Sequence, residues 1–203
     1  MVRLFKSKRA LSNVVTTLII LVVAVLLATV VVDYAINVVS TRVQEESLQV
    51  QKEHVWVNPT ASPGTPAYAQ AALIVLNTGG RDVVISEIDV RGQMCPWNQT
   101  GGGVTNQKFV LYCVTSIPIT GDLSYVGNFN STTGSINRVL VGSTMYNFTV
   151  TNTELVLKSG DALMIYIVNP DSVSVNDVGL TIGITLHSAQ AIYYEETNVQ
   201  AVS

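Results

Sequence analysis

Two cysteines, three asparagine triplets, two histidines and one junction of basic, small and apolar residues are where this 203-residue chain could do covalent or ligand chemistry. Cys95 and Cys113 are the only thiols. An even pair in an oxidising compartment reads as one disulfide, and two free buried thiols are the alternative. Zinc is disfavoured, because the cysteine spacing is wrong and neither His54 nor His187 is near them in sequence. Asn98-Gln99-Thr100, Asn130-Ser131-Thr132 and Asn147-Phe148-Thr149 fit the N-glycosylation pattern, whereas proline excludes Asn58-Pro59-Thr60. So few triplets arise by chance in a chain this rich in Asn, Ser and Thr, so location must decide. Asn98 and Asn130 fall in expected loops and are favoured over Asn147, which is expected to begin a strand.

The other polar groupings have bland readings that outweigh the chemical ones. Asp171, Asn176 and Asp177 could offer oxygens to calcium, but they lack EF-hand spacing and read as a polar turn. Gly101, Gly102 and Gly103 lack the lysine and helix of a phosphate cradle and read as a loop. His187 is expected to face solvent from a strand, and His54 to lie on a neck. Trp97, Tyr125 and Phe129 could meet carbohydrate, but loop aromatics more often pin the loop to its domain. No nucleophile, base and oxyanion donor come together in sequence, so the expectation is no catalytic residue, no metal, no cofactor and no enzyme.

What must position these residues starts with residues 14–32, VVTTLIILVVAVLLATVVV, which carry no charge and follow Lys6, Lys8 and Arg9. In hydrocarbon every backbone amide must bond within its own segment, so a run of this length spans a bilayer as a helix despite its β-branched residues. A secretory signal has a shorter apolar core, of about 7–15 residues, with its small-residue cleavage site after it. Here the small residue, Ala10, comes before the core. Arg3, Lys6, Lys8 and Arg9 precede the helix without an acid, while from Leu11 onward 7 basic residues face 14 acidic ones. The positive-inside rule therefore keeps the N-terminus cytoplasmic and everything after Val32 outside. That exterior has no basic patch, which disfavours nucleic acid.

The segment Lys8-Arg9-Ala10-Leu11-Ser12-Asn13-Val14-Val15, with the unbroken apolar helix behind it, resembles the class III signal and N-terminal helix of archaeal type IV pilins, a region shared with archaeal flagellins. The resemblance covers about the first quarter of the chain. It implies that a membrane prepilin peptidase cuts between Ala10 and Leu11, and that assembly machinery then packs the freed helices into a filament core. The bacterial branch usually has glycine before the cut and glutamate at the fifth mature position, where this chain has Ala10 and Val15. Flagellins usually start their mature helix with a glycine-rich stretch, and residues 11–32 contain no glycine.

Past the apolar run, Ile36, Val39, Val43 and Val50 recur at helical spacings among Arg42, Gln44, Glu45 and Glu46. With Leu18, Leu21 and Val25 they form the expected packing stripe of a helix over residues 11–52, about 60 Å long. Pro59, Pro63 and Pro66 make residues 53–67 a neck. From 68 to 203 the period becomes strand-like. Strands are expected at 68–76, 83–90, 108–116, 137–141, 146–157, 163–168 and 179–194, the last one bent strand or two. The first two are expected to form a hairpin about Asn77-Thr78-Gly79-Gly80, and 121–142 a polar surface excursion. The fold class is thus α+β: a removable leader (1–10), a long helix, a neck and an antiparallel, Ig-like β-sandwich head.

The functional expectation is a structural pilin: membrane-anchored before assembly, then a homopolymer in an extracellular adhesive filament. A membrane-anchored monomeric or minor pilin-like binding module is the alternative, and a flagellin the third. The resemblance implies that a small residue is needed before the cut, so Ala10→Arg should make the longer precursor accumulate in the membrane. N-terminal sequencing checks this; normal processing of the variant would contradict it.

Overall fold

The computed structural model describes residues 7–43, 45–100 and 106–202. It divides into two compact units, Met1–Gln44 and Glu45–Ser203. The first is one helix, α1 (Ser7–Val43). The second holds the strands β1 (Leu48–Val57), β2 (Ala69–Asn77), β3 (Val83–Val90), β4 (Gln93–Met94), β5 (Asn98–Thr100), β6 (Gln107–Thr115), β7 (Ile136–Val141), β8 (Thr144–Val150), β9 (Leu155–Leu157), β10 (Ala162–Val168), β11 (Thr181–Ser188) and β12 (Ile192–Ala201).

The helix expected over 11–52 stops at Val43, and the expected neck opens instead with β1. Seven residues separate Val43 from Val50, a spacing a helix tolerates, but Leu48 and Val50 also alternate as a strand does. The strand wins because β1 pairs along its length with β2 and buries Leu48, Val55 and Val57 in the core. Val50 therefore packs against the β-domain core, not on a helical stripe.

The strands follow one hydrogen-bonded path, β4-β3-β11-β12-β1-β2-β10-β6-β8-β7, with β5 on β6 and β9 on β3. Every pairing is antiparallel except β1 with β12. β12 turns the corner: Ile192 to Asn198 pair with β11, and Val199 to Ala201 pair with β1. The expected hairpin of 68–76 with 83–90 does not form. β2 pairs with β1 and β10, whereas β3 pairs with β11, β4 and β9. Asn77 holds this crossing, its buried amide donating to Arg81 O (2.8 Å) and Leu157 O (3.1 Å). The single strand expected over 146–157 breaks at Thr151, whose hydroxyl donates to Thr153 O (2.6 Å).

Strands β2 and β10, and Phe109 to Leu111 of β6, are buried on both faces, which is why β10 reads ALMIYIV without alternation. One face joins Leu73, Leu163 and Ile165 to Ile85, Ile88, Ile184 and Leu186 of β3 and β11. The other joins Ile74, Leu111, Met164 and Tyr166 to Val139, Val141 and Phe148 of the β7–β8 hairpin and to Leu123 and Phe129 of the excursion. The layers are thus β3–β11–β12, the central strands, and the hairpin with its loop.

Buried polar groups tie that loop down. Gln70 is fully buried, its Nε2 donating to Pro66 O (2.9 Å) and Val126 O (2.5 Å) and its Oε1 accepting from Val126 N (3.1 Å). The Tyr166 hydroxyl donates to Ser124 O (2.9 Å), and burial pushes its pKa up to about 12. Its ring lies 5.2 Å from both Phe129 and Phe148. Gln70→Leu would leave the Val126 amide and carbonyl without their side-chain partner, at about 1–3 kcal/mol for each buried group left unpaired. A lower urea midpoint is expected; an unchanged midpoint would mean that the amide does not hold the excursion.

Candidate functional site

The residues with the clearest functional consequence are those of α1. Asn13–Thr41 is long and apolar enough to cross a membrane, with a mean hydropathy of 3.1 over its most apolar 18 residues. Its 29 residues extend about 43 Å at 1.5 Å per residue, more than the roughly 30 Å hydrocarbon layer. Asp33, the only charge within it, follows an uncharged stretch that alone is about 29 Å long, so it falls at the edge of such a layer. Leu18, Leu21, Val25, Ile36 and Val39 are each between 57% and 64% exposed. An apolar surface this large on one chain marks an interaction site. Three threonine hydroxyls bond within the helix: Thr17 donates to Val14 O (2.9 Å), and Thr29 and Thr41 to Val25 O and Asn37 O (both 2.8 Å). Ala10 and Leu11 lie within the helical backbone near its start; their side chains and that of Val43 fall outside the described residues.

The cysteines correct an expectation. Cys95 and Cys113 are free. Cys95 belongs to the core on the β3–β11 side of the central sheet, whereas Cys113, on β6 in phase with Phe109 and Leu111, packs on the hairpin side. The sheet stands between them. Burial pushes the Cys95 thiol up to about 12 and raises that of Cys113.

The asparagine triplets differ in access. Asn98 lies in β5 rather than in a loop, half-buried, its Nδ2 donating to Asn152 Oδ1 (2.7 Å) and Thr133 Oγ1 (3.1 Å). Asn130 is exposed in the excursion, with Oδ1 accepting from Thr132 N (2.9 Å). Asn147 is exposed on the outer side of β8, so it is more open than Asn98.

The remaining candidates serve structure. Asp177 accepts from Ser174 N and Oγ (2.8 Å each) and from Arg91 (2.7 Å); the Ser174 hydroxyl is the largest cause holding its carboxyl below the usual range. Asp171 pairs with Lys108 at 2.5 Å, and Asn176 is exposed. Among the described residues no three His, Cys, Asp or Glu gather to hold a metal. His54 stacks on Trp56 and meets Asp122 at 3.0 Å; His187, half-buried, meets Asp89 at 3.1 Å. Trp97 packs against the core, Phe129 is buried, and Tyr125 donates to Ala67 O (2.6 Å). These aromatics pin loops. What sequence reasoning missed was Gln70 and Asn77, and a signal existed, since they are the two amides of β2, whose other residues are all apolar.

No protein-family model matches the chain, and no curated protein matches it.

The thiol geometry has a direct readout. In native protein at pH 8, Cys95 should resist iodoacetamide and Cys113 react slowly, with both alkylated after unfolding without reductant. A mass two hydrogens lower than the dithiol, restored by reductant, would contradict it.

Proposed function

We propose that this chain is a pilin-like structural subunit, polymerising through α1 into an extracellular adhesive filament whose outer layer is the β-domain. The observation that carries the reading is a continuous apolar helix surface joined directly to a β-domain that has its own complete core. Immersing such a helix in water would forfeit roughly 1.5–3 kcal/mol for each large apolar side chain. Lipid solvates that surface before assembly; neighbouring helices cover it afterwards. The subunit exchanges one apolar setting for another, and its threonine hydroxyls stay bonded in both.

The resemblance of residues 8–15 to the archaeal type IV pilin signal supports this reading, as do the basic residues ahead of the helix. In the proposal the leader ends at Ala10, the β-domain is an Ig-like sandwich on the outer side of the membrane, and glycans occupy exposed Asn130. Ala24 and Ala28, four apart on one helical face, allow close approach of a second helix.

Shearing cells and analysing the released material by electron microscopy and mass spectrometry tests the proposal. Filaments composed mainly of this chain and starting at Leu11 are expected. Recovery of the chain solely from membranes would leave the anchored module as the better reading.

A further inference from the structure

Two exposed patches lie on opposite outer layers of the β-domain. The β7–β8 hairpin buries Val139, Val141 and Phe148 and turns Ile136, Leu140 and Met145 outward, each more than half exposed. Arg138, opposite Asn147 in the register, is the only charged side chain of this hairpin and is exposed. On the far side, β11 buries Ile182, Ile184 and Leu186, so Gly183 faces out. The Tyr194 ring lies over Gly183, where a Cβ would meet it at 2.3 Å. Only glycine leaves room for this flat aromatic platform. Tyr194 and Ile192 are more than half exposed, and the Tyr194 hydroxyl donates to Glu196 (2.8 Å).

We infer that the outer face of the β7–β8 hairpin seats on the Ile192–Tyr194–Glu196 face of a second copy of this chain. The charges choose the occupant: the apolar hairpin face carries one cation, and the apolar β12 face carries Glu196, with Glu87 and the His187-paired Asp89 two strands away on β3. Arg138 can pair with Glu196 while its guanidinium lies on the Tyr194 ring, and Tyr and Arg are the side chains that most often anchor interfaces. Because the patches lie on opposite layers, the contact is heterologous. Each copy offers a free hairpin to the next, which generates an open array instead of a closed dimer. This rests on the filament reading and deepens it, giving the β-domains a contact of their own beside the helices. It also requires Asn147, in the middle of the hairpin face, to remain without a glycan.

Charge reversal in the full-length chain tests the contact. Arg138→Glu and Glu196→Arg, both at exposed positions, should each lower filament yield about tenfold, and the double variant should restore it. A photoreactive benzoylphenylalanine at position 145, in filaments mixed from isotopically light and heavy copies, should crosslink between copies to the peptide containing Tyr194. Wild-type filaments with undiminished yield in both single variants, crosslinks elsewhere, or a glycan on Asn147 of assembled subunits would overturn the contact and leave the filament reading intact. Absence of filaments from the wild type would overturn both.

Discussion

The constraint on which the rest depends is that the surface of α1 cannot be left in water. Its side chains from Val14 to Val39 are apolar with few exceptions and exposed. Something apolar must therefore always lie against them. Lipid and a second helix are nearly equivalent as solvents for such a surface, so assembly into the proposed filament would gain little from hydrophobicity itself and would draw on close packing and contacts between β-domains.

The β-domain carries apolar clusters of its own. Strands β2 and β10 are buried on both faces, and the two apolar clusters on either side of them are made entirely of β-domain residues. The excursion after β6 would be a mobile loop by composition, yet Gln70, Tyr166 and Phe129 anchor it over the second face. This leaves the outer layers, not the loops, as the surfaces free for neighbours. The histidines and the acidic loop fit the same pattern, each spending its polar atoms on holding strands and turns together.

Much of this was legible in the sequence, for physical reasons. A charge-free run of such length has one stable conformation in hydrocarbon, and strand periodicity located β2, β3, β6, β7 and β10 to within a residue. The failures share a cause, which is that local pattern says little about partners. Val50 satisfied a helical spacing and a strand spacing together, and only pairing with β2 decided between them. β2 and β3 follow one another across a glycine turn, yet each finds better partners in separate layers. The cysteines looked pairable by number, but their bond depends on which face of the sheet each occupies. Cys113 shares the phase of Phe109 and Leu111, a parity that was readable; that Cys95 lies on the opposite face was not.

The central claim concerns where α1 goes, and electron cryomicroscopy of the assembled material addresses it most directly. A central bundle of long helices is expected, packed closely enough to exclude water, with the β-domains in an outer shell. Helices found at the periphery, or a filament whose axis is made of β-domains alone, would contradict it.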